Sequence, residues 1–283
     1  MATARSTDGR TVGYADFGQP GHTPVIWCHG GPGSRMEPQG CAQAAGEAGI
    51  RLIGIDRPGY GASTPLPGRH IGDWPADAVA VADALGIQDF FVVGVSTGGA
   101  YALACAAGFP LRVRGVLNCC AMTDMSWAVD HAMMSPNVRI WQASGRDEAI
   151  FVAEEDFGAD GSRMLEGDDV AAMLAPADLA YLADPELAAN FASPEPFAQG
   201  AQGYADDRIA DAPRNGWSSF QVEHVVCPVV VIHGESDLIV PVAHAHHTAD
   251  IVADAKLMTF PDHGHLSINA EIVAALEALI AQS

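Results

Sequence analysis

The chain has 283 residues and a mass of 29.5 kDa, a size that suits one large domain or one core with an inserted subdomain. Hydrophobic residues make up 49% and charged residues 17%, which excludes a disordered chain because such a sequence can bury a substantial core. The formal net charge of -21 excludes nucleic acid and anionic membrane surfaces as favoured partners, since both are themselves negatively charged. The first residues are polar, and no apolar run reaches the roughly 20 residues that a membrane span needs. We therefore expect a soluble protein of the cytoplasm.

Short apolar runs rich in Val and Ile alternate with stretches of helical spacing along the chain. The runs, taken in chain order, are Pro24 to Cys28, Arg51 to Ile55, Phe90 to Val95, Val113 to Cys119, Pro228 to Ile232 and Lys256 to Phe260. Such runs indicate strands covered on both faces, and helices between them imply parallel pairing. Thr11 to Phe17 alternates more, as an outer antiparallel strand would. Helical spacing is found at Trp74 to Leu85, Gly99 to Gly108, Val242 to Val252 and Ile268 to Ile280. The predicted fold class is α/β, with a mostly parallel central sheet between helices.

The middle of the chain differs in composition from both ends. From Thr123 to about Val222 there is no strand-like run, and this stretch holds 18 of the acidic residues but only 5 basic ones. The pattern predicts a core made of residues 1–122 and 223–283, interrupted by a mainly helical lid over residues 123–222.

A possible nucleophile lies between the run that ends at Val95 and a helix of small residues. Residues 94 to 98 read G-V-S-T-G, a G-x-S-x-G pattern whose serine is Ser96. A serine needs a sharp strand-to-helix turn to present its hydroxyl clear of a sheet, and the flanking glycines permit that turn. The placement favours a nucleophile over a serine that only caps a helix.

Serine at its ordinary pKa is a weak nucleophile, so a base and an orienting acid must accompany it. Asp237 follows the strand-like run that ends at Ile232, and His265 follows the last one. We assign Asp237 as the acid and His265 as the base, since the order Ser, Asp, His is the order used by enzymes with this serine turn. Asp124, just after another strand end, is the reserve acid. His263 is the less favoured base, because His265 directly follows a glycine.

These motifs resemble those of the α/β-hydrolase family, and the resemblance covers the whole chain. A further match is H-G-G-P-G-S at residues 29 to 34, directly after an early strand. By motif position, the resemblance implies that the backbone N–H groups of Gly31 and Thr97 form an oxyanion hole. It also implies catalysis without a cofactor.

Several functions stay open within that family. The preferred one is a carboxylesterase-like serine hydrolase that cleaves the ester or lactone of a small apolar substrate through an acyl-enzyme. The H-G-G-P-G loop is also similar to proline iminopeptidases, but G-V-S-T-G departs from the Gly-Gly-Ser-Trp-Gly of that group. A cofactor-free perhydrolase would use the same residues, and a non-catalytic ligand-binding protein would be a different class altogether.

The expected partner is a small-molecule substrate, and both a monomer and a homodimer are compatible with the sequence. We predict that apolar lid residues line the acyl pocket, with Trp127, Met133 and Trp141 as the principal candidates. The wider set of candidates consists of Met125, Met134, Phe151, Phe157, Met164, Leu165, Met173 and Tyr181. His244, His246 and His247 cluster in sequence, but no carboxylate or cysteine pattern completes a metal site, so we predict a solvated helix face and no metal. The six cysteines include no C-x-x-C pair, and we expect buried, reduced thiols.

Overall fold

The computed structural model describes residues 2–132, 138–163 and 172–282, and an eight-stranded sheet forms its centre. The strands are β1 (Ala2–Arg5), β2 (Thr11–Phe17), β3 (Thr23–Cys28), β4 (Ile50–Ile55), β5 (Phe90–Val95), β6 (Val113–Cys119), β7 (Val229–Gly234) and β8 (Ala255–Phe260). Their order across the sheet is β1-β2-β4-β3-β5-β6-β7-β8. From β4 to β8 every pair is parallel, whereas β2 is antiparallel to both β1 and β4. The predicted mostly parallel sheet is confirmed.

Helices cover both faces of this sheet. They are α1 (Ala42–Glu47), α2 (Trp74–Ala84), α3 (Gly98–Gly108), α4 (Met125–His131), α5 (Val138–Trp141), α6 (Arg146–Phe157), α7 (Pro176–Tyr181), α8 (Pro185–Phe191), α9 (Gln202–Ala210), α10 (Ala243–Ile251) and α11 (Ile272–Ile280). One apolar cluster joins α2, α3 and α10 to one face of the sheet, and a second joins α1 and α11 to the other. Successive residues of β5 show the division, since Phe90 lies in the first cluster and Phe91 in the second.

The sheet has one strand that the sequence pattern does not reveal. β1 pairs with β2, so β2 is antiparallel as expected but is not the outermost strand. β1 has four residues, three of them exposed, and it therefore lacks the apolar run that marks the buried strands.

Residues 123–222 lie between β6 and β7, and we call this stretch the helical insertion. Its described residues form α4 to α9 and contribute no strand to the sheet. Side chains of α5, α6 and α9 form a small apolar cluster around Ile140, Ala149 and Val152, and Tyr60 of the sheet-bearing core packs into it. The boundaries of a separate lid domain stay a prediction. In the parts of the chain that the structure describes, no helix has both the length and the apolar character needed to cross a bilayer.

A buried carboxylate joins the helical insertion to the sheet. Asp207 of α9 is fully buried, and its Oδ2 accepts hydrogen bonds from Arg57 Nε and Nη2 at 2.9 and 2.7 Å and from Tyr60 OH at 2.8 Å. Its Oδ1 accepts from Arg69 Nη2 at 2.7 Å and from Tyr101 OH at 2.9 Å. Burial alone would raise the pKa of Asp207, but the charges of Arg57 and Arg69 outweigh it and hold this pKa well below its ordinary value.

The substitution Asp207→Asn is expected to lower the free energy of unfolding by about 3–5 kcal/mol, because it leaves two buried guanidinium groups without their shared anion. Urea unfolding of the variant at neutral pH measures this loss. The exposed Asp250→Asn, as a control, is expected to change stability by less than about 0.5 kcal/mol. A loss below about 1 kcal/mol for Asp207→Asn would contradict the role given to this carboxylate.

Candidate active site

The residues assigned to chemistry follow the carboxyl ends of four strands in the parallel part of the sheet. Ser96 follows β5, Asp237 follows β7, His265 follows β8, and the loop that begins at His29 follows β3. Parallel strands end at the same edge of a sheet, and ligands bind in the crevice at that edge. The sheet therefore brings together side chains that are far apart in sequence.

Ser96 lies in a tight turn between β5 and α3. Its φ angle is +52°, a left-handed conformation that non-glycine residues rarely adopt. The two glycines of the motif make this turn possible, because a Cβ on Gly94 would lie 2.4 Å from Gly98 O and one on Gly98 would lie 2.0 Å from Cys28 O. The turn presents the Ser96 hydroxyl beside His265, at the start of α3.

Three of the predicted residues form one hydrogen-bonded chain. His265 Nε2 lies 3.2 Å from Ser96 Oγ, and His265 Nδ1 lies 2.7 Å from Asp237 Oδ2. The other carboxylate oxygen of Asp237 accepts the backbone N–H groups of Ile239 and Val240, each at 2.8 Å. The carboxylate is thus held from one side while it orients the imidazole from the other.

Burial and charge act against each other at this pair. Burial would lower the pKa of His265, but the neighbouring Asp237 carboxylate, assisted by Cys120, raises that pKa well above its ordinary value. Burial would raise the pKa of Asp237, but His265 together with a hydrogen bond from His233 holds it well below its ordinary value. The arrangement favours an ionised Asp237 that stabilises a protonated imidazole.

The two residues implied as oxyanion donors lie next to each other. A Cβ on Gly31 would lie 2.8 Å from Thr97 Oγ1, and both residues line the cavity that contains Ser96 and His265. Arg208, a buried residue of α9, donates from Nη2 to Thr97 Oγ1 at 2.7 Å. Arg57 Nη2 donates to Gly30 O at 2.8 Å and so holds the backbone of the loop that carries Gly31.

The cavity at this site has a volume of about 500 Å³, within the usual range for a small-molecule site. Its lining is mainly apolar, and the helical insertion contributes Phe157, Met173, Leu174, Tyr181, Leu182 and Leu187, among others. Glu37 is the one acidic side chain among the described lining residues. It accepts the N–H groups of Trp27 and Gly30, each at 2.9 Å, and burial raises its pKa.

Comparison with known proteins identifies the family. A family model described as the alpha/beta hydrolase fold matches residues 23–268. The chain belongs to the α/β-hydrolase family. It is 27% identical to a non-heme haloperoxidase of Rhodococcus erythropolis, over 97% of each chain, and 24% identical to a probable proline iminopeptidase of Leptolyngbya boryana, over 94% of this chain and 88% of the relative. In structure it is similar to a thermophilic esterase from Thermogutta terrifontis, with a TM-score of 0.72, 21% identity and coverage of 99% and 98%.

Two candidate pocket residues of this α/β-hydrolase do not line the cavity, and the structure corrects that prediction. The Trp127 ring stacks on the rings of His131 and His247, with centroid distances of 4.6 and 3.9 Å. Trp141 is buried, and its Nε1 donates to Asp211 at 2.9 Å. Met133, the third candidate, lies outside the described residues. In the wider set, Phe157, Met173 and Tyr181 line the cavity, whereas the buried Met125 and the exposed Phe151 do not. Met134, Met164 and Leu165 lie outside the described residues.

The reserve acid and the less favoured base lie elsewhere in this α/β-hydrolase. Asp124 caps the start of α4, where its Oδ1 accepts the backbone N–H and the hydroxyl of Ser126 at 2.9 and 2.8 Å. His263 Nε2 lies 3.4 Å from Glu271 Oε1. Neither residue contacts the chain of Ser96, His265 and Asp237 through a hydrogen bond that the structure describes.

The histidine cluster on α10 is not a uniformly solvated face, contrary to the prediction. His244 is fully buried, accepts the N–H of Thr123 on Nδ1 at 3.1 Å and donates from Nε2 to Ala132 O at 2.6 Å. Within the described part of the chain, no group of three or more histidine, cysteine or carboxylate side chains is arranged to hold a metal ion.

Sequence reasoning missed three polar residues that shape this site, namely Glu37, Asp178 and Arg208. Each contacts a loop that carries a candidate site residue, from a position more than six residues away, so no local motif marks it. The sequence shows that each residue is charged, but it does not show which loop the side chain contacts.

The titration of His265 tests the electrostatics of this α/β-hydrolase without reference to any reaction. We expect NMR of the His265 ring to give a midpoint above the ordinary value of 6.5, because Asp237 stabilises the imidazolium. Asp237→Asn removes that charge and leaves the burial, so its midpoint must shift to lower pH.

Asp124→Asn is the control for this titration, since Asp124 contacts α4 and not His265. If the titration midpoint of His265 fell in Asp124→Asn and stayed unchanged in Asp237→Asn, our assignment of the acid would be reversed.

Proposed function

We propose that this α/β-hydrolase is a serine hydrolase that cleaves a carboxylic ester or lactone of a small, mainly apolar substrate through an acyl-enzyme. The observation that carries the proposal is the chain from Ser96 Oγ through His265 to Asp237, with separations of 3.2 and 2.7 Å. A nucleophile, a base within reach of its proton and an acid that orients the base are the parts that acyl transfer requires.

In the proposed first step, Ser96 Oγ attacks the carbonyl carbon of the substrate while His265 Nε2 takes the hydroxyl proton. Asp237 fixes the imidazole tautomer, since its Oδ2 accepts from Nδ1, and stabilises the imidazolium that forms. The N–H groups of Gly31 and Thr97 receive the negative charge that develops on the carbonyl oxygen. His265 then returns its proton to the leaving alcohol, which leaves the acyl group on Ser96.

In the second step, His265 takes a proton from water as the water attacks the acyl-enzyme. The tetrahedral intermediate places its charge in the same oxyanion site. As it collapses, His265 returns the proton to Ser96 Oγ, which restores the hydroxyl and releases the carboxylic acid. Both steps use the same three side chains, and the only molecules consumed are the substrate and one water.

The cavity supports an apolar acyl or alkoxy group as the bound part of the substrate. Apolar side chains from the sheet edge and from the helical insertion surround Ser96, with Trp27, Val95 and Leu174 as examples. Burying such a group is favourable by about 25 cal/mol for each Å² of apolar surface. The proposed substrates are therefore uncharged near the scissile bond.

Proline iminopeptidase activity is the less favoured function. An aminopeptidase must hold the free ammonium of its substrate, and a buried ammonium without a paired carboxylate is costly. None of the described acidic residues of the helical insertion lines the cavity, and the carboxylate of Glu37 already accepts two N–H groups. The acidic composition of this stretch therefore does not support ammonium binding.

Perhydrolysis is a second candidate, favoured by the relative named a haloperoxidase. Hydrogen peroxide in place of water would attack the same acyl-enzyme and release a peroxyacid. Ser96, His265 and Asp237 would keep their roles, so this candidate differs from the first only in the attacking molecule.

We also propose that the enzyme works in the cytoplasm. All six cysteines are unpaired, and five of them are buried. Unpaired cysteines in such number are typical of a reducing compartment.

Ser96→Ala tests the nucleophile. We expect kcat for p-nitrophenyl butyrate to fall by about 10⁴-fold or more, while the melting temperature stays near that of the wild type, because the hydroxyl is needed only for chemistry. A fluorophosphonate probe must label the wild type at Ser96, as read by peptide mass spectrometry. Ser126→Ala, which removes a hydroxyl bonded to Asp124, is the control and should be labelled normally. A folded wild type that is never labelled would favour a ligand-binding protein.

A comparison of two substrates distinguishes the esterase function from the proline iminopeptidase function. We expect kcat/KM for p-nitrophenyl butyrate to exceed that for proline p-nitroanilide by about 100-fold or more, since the cavity leaves the prolyl ammonium unpaired. Both substrates release a chromophore that absorbs visible or near-ultraviolet light, so one instrument measures both. Faster turnover of the prolyl anilide would overturn the ester assignment.

A further inference from the structure

Asp178 belongs to α7 of the helical insertion, yet its carboxylate contacts the core loop that carries His265. The residue is fully buried, and its Oδ2 accepts the backbone N–H of His265 at 3.0 Å. Its Oδ1 accepts the backbone N–H groups of Leu266 and Ser267, each at 2.9 Å. One side chain thus binds three consecutive amides, beginning at the base itself.

The same carboxylate also reaches the residue before the base through a side chain. Ser267 Oγ donates to Asp178 Oδ1 at 2.9 Å and accepts the backbone N–H of Gly264 at 2.8 Å. The backbone from Gly264 to Ser267 is therefore fixed at four successive positions by Asp178, either directly or through one hydroxyl.

Every partner of this carboxylate is a hydrogen-bond donor. In addition to the loop, the N–H of Ala175 donates to Oδ2 at 3.2 Å at the start of α7. A carboxylate only accepts, so it satisfies all of these groups at once. An amide in its place would turn an NH₂ group toward other N–H groups and leave buried donors without partners.

This packing explains why the residue before His265 is a glycine. A Cβ on Gly264 would lie 2.3 Å from Asp178 Oδ2 and 2.6 Å from the carboxyl carbon. No other residue type leaves room for the carboxylate against this stretch of backbone. Gly264 thus leaves the space that the side chain of Asp178, 86 positions earlier in the chain, occupies.

We propose that Asp178 is a positioning residue for His265, through which the helical insertion sets the place of the base. This inference rests on the proposed role of His265 as the base. Asp237 orients the imidazole ring, whereas Asp178 fixes the backbone from which the ring projects. Proton transfer from Ser96 across 3.2 Å needs both, because a displacement of about 1 Å in a catalytic group can cost 10²-fold in rate.

Asp178→Asn is the principal test, with Asp184→Asn as its matched control. Asp184 is an exposed carboxylate on the next helix that accepts the N–H groups of Glu186 and Leu187, and asparagine caps a helix as well as aspartate does. We expect Asp178→Asn to lower kcat for p-nitrophenyl butyrate by about 10-fold or more and to change KM by less than about twofold. The rate of fluorophosphonate labelling at Ser96 should fall by the same factor as kcat.

These rates are measured well below the melting temperature and per folded molecule, so that a loss of stability does not imitate a loss of positioning. Asp178→Asn with wild-type kcat and wild-type labelling would overturn the proposal, even if its melting temperature were lower. Equal losses in Asp178→Asn and Asp184→Asn would also overturn it, because the effect would then be general to the helical insertion.

Amide hydrogen exchange gives a second measurement that does not depend on activity. We expect exchange at His265, Leu266 and Ser267 to accelerate by about 10-fold or more in Asp178→Asn and to stay unchanged in Asp184→Asn. If the wild type is not labelled by the probe, the proposed function fails, and this exchange still decides whether Asp178 holds the loop. Unchanged exchange in Asp178→Asn would overturn the proposal.

Gly264→Ala disturbs the same contact from the core side. It is the test variant to use if Asp178→Asn does not fold. The added methyl group displaces the Asp178 carboxylate but keeps its charge and its place on α7. We expect the same fall in kcat with little change in KM. A folded Gly264→Ala with wild-type kcat would contradict the proposal.

Discussion

The structure depends on the pairing of one buried carboxylate, that of Asp207, with the guanidinium groups of Arg57 and Arg69. Removing these charges from water is costly, and the cost is offset only because each oxygen of Asp207 accepts several well-placed donors. Since Arg57 also donates to the carbonyls of His29 and Gly30, the same charges hold the loop that faces Ser96. The shape of the site is therefore set by an ionic cluster that contains no reacting group.

The helical insertion acts on the site through acidic side chains directed toward the core. Asp207 reaches the loop after β3 through Arg57, and Asp178 binds the loop after β8 directly. Asp211 pairs with Arg208, which in turn donates to Thr97 after β5. Three loops of the sheet edge are each connected to a different carboxylate of this stretch. In the proposed mechanism, the loops of the sheet edge carry the groups that react, while side chains of the inserted helices bind those loops.

The sequence was sufficient for the parts of the structure that local pattern determines. Ser96, Asp237 and His265 each follow an apolar strand, and the sheet edge brings strand ends together whatever lies between them. Trp127 and Trp141 were misplaced because a helical pattern gives the spacing of side chains but not the neighbour that each one meets. Asp178 is an acid in the first turn of a helix, an ordinary position for that residue type, and its partner amides lie 87 to 89 positions away. Such contacts belong to tertiary packing, which no single segment encodes.

The helical insertion is acidic, yet the cavity beside it is apolar. The two properties are compatible because the acidic side chains are either buried with hydrogen-bond donors or at least partly exposed to solvent. The buried carboxylates, Asp178, Asp206, Asp207 and Asp211, are paired with arginines or backbone N–H groups, and the other described acids of this stretch stay at least partly exposed. None of them reaches the cavity. A neutral ester would therefore enter without an electrostatic penalty, whereas the carboxylate released from it would leave into the negative field of a protein with a net charge of -21. For the proposed reaction, this charge distribution favours the departure of an anionic product.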